Sequence, residues 1–541
     1  MKTPTRPDPR PRVMAMHPRD RMNSSSRCHS PSGAFGRGAR RLGARLSGYA
    51  ALLGIVTGCA AATSQPPGGT DAPAGEAAPS VAVDRTTPPV PGPTPSVDMP
   101  PVQRRALANG LEVWLIEKPG VPLVTMQLLV GAGVVAEPPA ESGIALLTAA
   151  MLDEGTRSRT ALELADELEF LAATLGAGAG YDASVVELSA LSRTLPQALA
   201  LFAEVVTQPT FPEREYERVR RERLTALIQA ADQPEAVAAE QFALQLYGAS
   251  HPYGRIPGGT STALTAMTRA DIEEFYRSFY RPNNSTLLVV GDVTAGELFP
   301  LLESAFSGWE RADVPAAPPL AEPAPQDETR IFLVDMPGAA QSVIQIGHVA
   351  VPRNNPDYFP LLVMNHVLGG VFSSRLNLNL REDKGYTYGA RTGFTARRKR
   401  GPFIATASVQ TAVTKESVVE FMRELEEIRG TRPVTEEEVE FAKANLSRSE
   451  PFAMETQTQL LGRLQNLALY RLPTDYYDSF VQRIGAVTTA DVNRVARQYL
   501  DPSRFAIVVV GDREAVEAGL RELPYPVELV AAEPITGPPG Q

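Results

Sequence analysis

The apolar and polar positions of this 541-residue chain follow one pattern twice. Starting at Met267 and again at Val487, a polar, amphipathic segment with a capping threonine leads into a continuous apolar segment, "STLLVVGD" in the first copy and "FAIVVVGD" in the second. This pattern predicts a capped helix followed by a buried strand in both places. The two copies keep an offset of 220 residues, which aligns Asp271 with Asp491. We therefore predict a duplication of one α+β unit.

Other apolar stretches predict strands near 124–131, 184–191 and 285–291, and hence a largely antiparallel sheet that helices cover on one face. Helices are indicated by amphipathic periodicity together with their terminal residues. These helix signals are a capping box of Thr160 with Glu163 and a closing Gly176, a start at Pro212 with an end near Ala231, and one or two helices between Glu436 and Tyr470.

Changes in composition divide the chain into segments. Residues 60–102 and 311–329 are rich in proline and alanine, a composition typical of tethers and linkers. The predicted segments are a signal peptide at 1–58, a tether at 59–102, an N-terminal domain at 103–310, a linker at 311–329, a C-terminal domain at 330–530 and a tail at 531–541.

Charge is unevenly distributed along a chain whose composition is otherwise ordinary for a globular protein, with 43% apolar and 21% charged residues. Residues 1–58 carry eleven Lys/Arg and two Asp/Glu, so the formal net charge of -10 leaves -19 on the remainder. Such an acidic body has no electrostatic reason to bind nucleic acid or an anionic membrane surface. We expect no nucleic-acid partner.

The start of the chain has the features of a signal peptide: arginines, a short apolar run from about Tyr49 to Val56, and a small residue before Cys59. This order resembles a bacterial lipobox, which implies cleavage before Cys59 and attachment of a lipid to it. Ala60 favours the outer membrane, so we expect an envelope lipoprotein that faces the periplasm and meets the membrane only through its anchor. The alternative is an ordinary secretory signal with an incidental cysteine. Cys28 is the other cysteine, so the globular body contains no disulfide.

Several motifs in the body resemble those of one peptidase family. They are "GIALLTAAMLDEGT" (143–156), "HPYGRIPGGT" (251–260) and "YRPNNSTLLVVGD" (280–292), in addition to the duplicated unit. Together they resemble the pitrilysin/insulinase superfamily of inverzincin zinc peptidases, in which mitochondrial processing peptidase and small bacterial relatives are closest in size. The resemblance covers roughly Pro101 to Val530. It implies two halves that form a clam-shell chamber around a peptide.

The zinc site of that family is missing from this sequence. In the family, the first helix reads His-x-x-Glu-His and a later helix supplies a third, glutamate ligand. The resemblance places these four positions at Leu146, Ala149, Ala150 and Leu227. None of these side chains can coordinate zinc or transfer a proton. We predict a degenerate metal site, with no catalytic residue of its own and no zinc in this chain.

Histidines elsewhere do not replace these ligands. Only His251, His348 and His366 lie in the body, and their spacing forms no local ligand pair. His251 belongs to a motif that we interpret as a structural turn. Asp153 and Glu154 follow the degenerate helix, and we interpret them as a solvated helix end.

The second half retains a further family motif, "LGGVFSSRLNLNLREDKGYTYGARTGF" (368–394). In active members its arginine and tyrosine reach across the chamber and bind the substrate beside the zinc. The resemblance places this pair at Arg381 and Tyr388, whose donor groups suit peptide carbonyls or a developing oxyanion. The alternative is structural: Arg381 pairs with Glu382 or Asp383, and Tyr388 packs in the sheet.

The stretch "LGAGAGYDASVVELSALS" (175–192) corresponds to a family strand that lies at a sheet edge and pairs with the substrate backbone. Asp182 stands where the family usually has asparagine. The glycines do not form a phosphate loop, because no Lys-Ser/Thr follows them.

Three functions are compatible with these observations. The first is a non-catalytic, substrate-holding subunit of a heterodimeric zinc peptidase, in which a homologous partner carries the zinc and this chain supplies Arg381 and Tyr388. The second is a peptide-binding or scaffold protein without a proteolytic role. The third, an autonomous peptidase with another site, lacks a Gly-x-Ser-x-Gly motif and a cysteine nucleophile in the body.

Overall fold

The computed structural model describes residues 92–93, 98–316 and 318–531. The predicted signal peptide, Cys59 and most of the tether and tail lie outside the described residues. Among the described helices, none combines the length and apolar character that crossing a membrane requires.

Two sheets of six strands form the framework of the described chain. The strands of the first sheet are β1 Gln103–Ala106, β2 Glu112–Glu117, β3 Leu123–Val130, β4 Thr174–Ala179, β5 Ser184–Leu191 and β6 Ser285–Gly291. Those of the second are β7 Arg330–Asp335, β8 Gln341–Val349, β9 Thr387–Phe394, β10 Pro402–Gln410, β11 Ala506–Gly511 and β12 Val527–Val530. The first sheet has the order β1-β2-β6-β3-β5-β4 and the second β12-β7-β11-β8-β10-β9.

Helices connect and cover these strands. In the N-terminal half they are α1 Ile144–Ala150, α2 Ala161–Phe170, α3 Leu195–Thr207, α4 Glu213–Ala231, α5 Pro234–Tyr247, α6 Ser261–Ala266, α7 Arg269–Phe279 and α8 Ala295–Phe306. In the C-terminal half they are α9 Tyr358–Asn365, α10 Arg375–Asn377, α11 Thr414–Glu427, α12 Glu436–Ser449, α13 Gln457–Tyr470, α14 Phe480–Ala486, α15 Thr489–Tyr499 and α16 Arg513–Leu520. Two π-helical segments, His366–Gly370 and Leu378–Asp383, flank α10.

The predicted duplication and the α+β class are confirmed. The β2–β6 pair is parallel, as is the β7–β11 pair, and most other pairs are antiparallel. Helices α7 and α15 each begin with a capping box, made by Thr268 with Asp271 and by Thr488 with Asp491. The two sheets differ at one edge, because β1 runs antiparallel to β2 whereas β12 runs parallel to β7.

Each sheet is covered on both faces, which corrects the expectation of helices on one face only. One face of each sheet packs on helices of its own half. The opposite face packs on a helix from the other half: α5 covers β8 and β11, and α13 covers β3 and β6. Phe242 of α5 and Leu464 of α13 are buried in these contacts. Helix exchange therefore joins the two halves through apolar packing.

Helix α2 ends earlier than the sequence predicts. It has the expected capping box but closes at Leu171, and the chain turns at Ala172, whose φ of 51° is left-handed. Gly176 does not end the helix; it lies inside β4. Helix α4 and the pair α12 and α13 match their predicted ranges closely.

Candidate functional site

Helix α1, which carries three of the four positions that the family resemblance assigns to a metal site, is held in place at its N-terminus. Gly143 precedes it with a φ of 97°, and a Cβ there would lie 3.0 Å from the carbonyl oxygen of Gly258, so the position requires glycine. The buried carboxylate of Glu137 accepts hydrogen bonds from the backbone N–H groups of Gly143 and Ala145, at 3.1 Å each. These bonds satisfy donors that a helix N-terminus leaves free.

The environment of Glu137 disfavours its charge. Burial raises the pKa of this carboxyl from its usual 4.5 to about 7, although the two backbone donors and the nearby Arg255 oppose the shift. Arg255 does not pair with the carboxylate itself, since its guanidinium donates to the carbonyl oxygens of Glu137 and Pro138, both at 3.3 Å.

The four positions that the resemblance assigns to the metal site are buried or half-buried in the N-terminal half. Ala149 is fully buried, whereas Leu146, Ala150 and Leu227 are half-buried. Ala150 and Leu227 pack against the main core of that half. The chemistry of these side chains does not fit zinc, because an aliphatic carbon donates no lone pair.

Charged residues next to α1 tie it to α4. Glu154 forms an ion pair with Arg218, which also donates to Glu215 at 2.6 Å. Asp153 is half-buried, and burial raises its pKa. The expectation of a solvated helix end is therefore wrong, because both residues are half-buried and Glu154 pairs with Arg218 of α4.

The three histidines of the body lie on separate elements. Nδ1 of His251 accepts a hydrogen bond from the backbone of Tyr253 at 3.0 Å and caps the short turn Pro252–Gly254, which confirms the predicted structural turn. His348 lies in β8 with its ring stacked on Phe505. His366 begins a π-helical segment. Across the described ranges, no three His, Cys, Asp or Glu side chains are grouped so that they could hold a metal ion.

Arg381 and Tyr388 lie on adjoining elements of the C-terminal half. Arg381 is part of the π-helical segment Leu378–Asp383, and Tyr388 is on β9, the edge strand of the second sheet. Tyr388 is 88% exposed, so it does not pack in the sheet as the structural alternative requires. Arg381 does pair with Glu382, at 3.2 Å, as that alternative expects. Its guanidinium also lies over the ring of Phe372, 4.5 Å from the centroid.

The pairing of Arg381 with Glu382 does not remove the guanidinium from solvent. The arginine side chain is 38% exposed and its glutamate partner is 50% exposed. An exposed pair of this kind contributes about 0–1 kcal/mol, so a ligand carbonyl or carboxylate can displace it at small cost. Arg381 and Tyr388 thus present exposed donors on the C-terminal half, whereas the positions that the resemblance assigns to the metal site lie on the N-terminal half.

Strand β4 forms the corresponding edge of the first sheet. A Cβ added at Gly176 or Gly178 would meet no atom within 4 Å, so the sheet face is open at these glycines, and in the described chain the outer edge of β4 pairs with no other strand. The predicted edge strand is therefore present.

Asp182, in the turn after β4, joins the two halves. It is buried, accepts a hydrogen bond from the hydroxyl of Tyr253 at 2.6 Å, and accepts another from the backbone N–H of Arg398 at 3.0 Å. The neighbouring guanidinium of Arg397 lies over the rings of Tyr181, at 3.8 Å, and Tyr253, at 4.4 Å. A pocket of about 400 Å³ lies here between the halves.

Sequence reasoning missed these contacts. The "HPYG" motif gave the turn, but nothing in the sequence linked its tyrosine to Asp182, 71 residues earlier. Glu137 was also missed. A carboxylate six residues before a helix-starting glycine is a signal that could have found it.

Comparison with known proteins places both halves of the chain in one group. The family model described as "Insulinase (Peptidase family M16)" matches residues 112–251, and the one described as "Peptidase M16 inactive domain" matches residues 266–446. An uncharacterized zinc protease of Streptomyces coelicolor is 25% identical over 76% of this chain and 91% of its own length. Another, from Mycobacterium tuberculosis, is 27% identical over 76% of this chain and 93% of its own.

A solved structure has the same architecture. The crystal structure of a peptidase M16 inactive domain from Pseudomonas fluorescens superposes with a TM-score of 0.71, at 27% identity, over 76% of this chain and 98% of that protein.

Proposed function

Because this chain belongs to the pitrilysin/insulinase superfamily of peptidases (family M16) and lacks the ligands of its zinc helix, we propose that it is the non-catalytic, substrate-holding subunit of a heterodimeric zinc metallopeptidase. In this proposal a homologous partner carries an intact His-x-x-Glu-His helix and the zinc. The substrate is a peptide or small protein. This chain contributes Arg381 and Tyr388 to the partner's site.

The exposure of Tyr388 on the edge strand β9, together with that of Arg381 on the adjoining π-helical segment, is the observation that carries this proposal. A tyrosine that only stabilised the sheet would bury its ring, yet 88% of this side chain is exposed. A phenol and a guanidinium can both donate hydrogen bonds to a carbonyl oxygen. Directed at a peptide carbonyl, they would stabilise the negative charge that develops on its oxygen during hydrolysis.

The loss of the metal positions supports division of labour between two chains. The glycine and the carboxylate that position α1 are present, whereas the side chains that would bind metal are aliphatic. In this proposal the chain has the architecture of the family, and the partner hydrolyses the peptide. Zinc chemistry, when present, would polarise the substrate carbonyl and activate water in the partner's site.

The location proposed for this complex is the bacterial envelope. The proposal rests on the arginines, the short apolar run and Cys59 near the start of the chain. A lipid on Cys59 and the tether at 59–102 would hold the body beside the outer membrane on its periplasmic side.

Co-purification tests the proposal directly. Tagged full-length protein would be isolated from the membranes of its own cells, and the proteins bound to it would be identified by mass spectrometry. We expect a stoichiometric homologue with an intact His-x-x-Glu-His helix. Isolation of the protein alone, or only with copies of itself, would overturn the proposal. The same result would favour a peptide-binding or scaffold protein, for which the open edges of β4 and β9 are the supporting observation.

A further inference from the structure

The edge strand β9 contains a β-bulge at Tyr388. Its pairing with β10 is regular from residue 394 to residue 390 and has shifted by one residue at Thr387. Tyr388 and Gly389 consequently lie opposite the single residue Ser408. Two residues opposite one define a bulge, and a bulge changes the direction in which the side chains of its strand point.

The bulge explains why the side chain of Tyr388 is exposed. Successive side chains of a regular strand point to opposite faces of the sheet, so residues two apart share a face. Ala390 and Thr392 are both buried, and a regular strand would place Tyr388 on their face. The extra residue reverses this alternation, and Tyr388 is exposed instead.

The hydroxyl of Thr387 connects the two strands at the bulge. It donates a hydrogen bond to the carbonyl oxygen of Ser408, at 2.7 Å, and accepts one from the backbone N–H of Gly389, at 3.1 Å. A bulge interrupts the regular hydrogen bonds between strands, and these two bonds supply partners for backbone groups at the interruption. Thr387 therefore holds the backbone that carries Tyr388.

A second polar side chain connects the bulge to the surroundings of Arg381. Asn377 of α10 is buried, and its amide oxygen accepts a hydrogen bond from the backbone N–H of Ala390 at 3.1 Å. Its amide nitrogen donates to the carbonyl oxygen of Phe372 at 2.7 Å. The guanidinium of Arg381 lies over the ring of Phe372. Asn377 thus links the residue after the bulge to the residue that Arg381 contacts.

Stabilisation of the sheet alone does not require this arrangement. Thr392 of the same strand also forms a hydrogen bond, to the amide oxygen of Asn365 at 2.8 Å, but it lies in the regular part of β9. The bonds of Thr387 and Asn377 instead meet at the irregular segment that carries an exposed donor. Bulges are frequent beside active sites, where they direct a side chain.

We propose that Thr387 and Asn377 are positioning residues for peptide hydrolysis by the complex. Thr387 holds the bulge that directs Tyr388 out of the sheet. Asn377 fixes this bulge relative to Arg381. Both residues act through the two exposed donors rather than by touching the peptide. This inference rests on the proposed function, because it concerns the residues that hold the substrate.

Hydrogen exchange in the isolated full-length protein tests the bulge without any partner subunit. Thr387→Val keeps a similar side-chain shape but removes the hydroxyl, whereas Thr387→Ser keeps the hydroxyl. Mass spectrometry resolved to single amides should show that the Gly389 amide exchanges about tenfold faster in Thr387→Val, through loss of its acceptor, and at the wild-type rate in Thr387→Ser. The matched control Thr392→Val should leave exchange at Gly389 unchanged.

Peptide hydrolysis by the reconstituted complex tests the consequence for catalysis. Thr387→Val should lower kcat about tenfold with zinc content unchanged, because a displaced donor stabilises the developing oxyanion less well. Asn377→Ala should lower kcat in the same way. Thr387→Ser should have nearly the wild-type kcat, and so should the control Thr392→Val.

A double-mutant cycle distinguishes positioning from general stabilisation. Because Thr387 acts through Tyr388, Thr387→Val should have no further effect on kcat in a Tyr388→Phe background, where the donor is already absent. Asn377→Ala should likewise have a smaller effect in an Arg381→Ala background than in the wild-type protein.

Three results would overturn the inference: unchanged exchange at Gly389 in Thr387→Val, unchanged kcat in Thr387→Val while Tyr388→Phe is impaired, or the same loss of kcat from Thr387→Val in the wild-type and Tyr388→Phe backgrounds. Should Asn377→Ala not fold, the threonine variants still decide the question. Full activity of both Arg381→Ala and Tyr388→Phe would instead contradict the proposed function, and the positioning role with it, so the two failures are distinguishable.

Discussion

Leu146, Ala149 and Ala150 of α1 are aliphatic at positions that the family resemblance assigns to the zinc helix, whereas the carboxylate that holds this helix in place is polar. Glu137 still accepts from Gly143 and Ala145, and Gly143 still allows the close contact with Gly258. The backbone donors at the start of α1 offset part of the cost of burying this carboxylate, and these contacts fix the position of α1 in the fold.

The raised pKa of Glu137 predicts that the free energy of unfolding falls as pH rises. Because its pKa is about 7 when folded and 4.5 ordinarily, the folded state holds this proton more tightly, and its contribution to stability is lost as pH rises through this window. Relative to Glu137→Gln, the wild-type protein should lose about 3 kcal/mol of unfolding free energy between pH 4 and pH 8.

Urea unfolding of both proteins at several pH values measures this difference. The comparison with Glu137→Gln cancels the opposing effect of the buried histidines, whose lowered pKa values make the fold less stable at acid pH. A difference between the two proteins that stays constant with pH would show that Glu137 ionises normally.

At the scale of elements, the exchange of α5 and α13 is the main feature of the fold. Each of these helices belongs to one half in the sequence and covers the sheet of the other half. The two halves should consequently unfold together, because neither sheet can bury both faces without the other half.

A single substitution in α5 tests this exchange. Phe242 is 2% exposed and packs with β8 and β11 of the C-terminal half. Phe242→Ala should cost about 3–5 kcal/mol and lower hydrogen-exchange protection in β8 and β11, although residue 242 belongs to the N-terminal half. The exposed control Phe452→Ala should change stability by less than about 0.5 kcal/mol. Loss of protection confined to the first sheet would contradict the exchange.

The sequence predicted those parts of the fold that depend on local pattern. The strands at 184–191 and 285–291, the capping boxes and the duplication follow from apolar periodicity and capping residues. The helix exchange could not be predicted, because an apolar helix face does not specify which sheet it will cover. Gly176 was misjudged for a related reason: Ala172 adopts the left-handed turn that glycine usually provides, so the strand begins before the glycine.

The candidate site was predictable only where the family motif marked it. Arg381 and Tyr388 were found by resemblance, and the structure added the exposure of Tyr388 and the contact of Arg381 with Phe372. The exposure of Tyr388 could not be predicted, because it depends on how the elements around β9 pack.

At the scale of the whole molecule, we expect the folded body to need no metal of its own. In the proposal the metal belongs to a partner, and the four aliphatic positions of this chain are buried at Ala149 and half-buried at Leu146, Ala150 and Leu227. Metal bound only to the folded state would raise the melting temperature, and its removal would lower it.

A chelator should therefore affect the isolated chain and the proposed complex differently. EDTA should leave the melting temperature of the purified chain unchanged, as measured by circular dichroism, because its residues 146, 149, 150 and 227 bind no metal. The same treatment should abolish peptide hydrolysis by the complex. A fall in the melting temperature of the isolated chain would show that the chain binds a metal ion of its own.

Peptide hydrolysis by the complex reconstituted with Arg381→Ala tests the central claim most directly. Removing a donor that stabilises a developing oxyanion typically lowers the rate about 10²–10³-fold, so we predict a loss of kcat of that size with zinc content unchanged. The matched control is Arg521→Ala, an arginine of similar exposure that pairs with Glu517 away from the site, and it should retain full activity. A complex with Arg381→Ala that hydrolyses peptides at the wild-type rate would contradict the claim that this chain supplies a substrate-holding arginine.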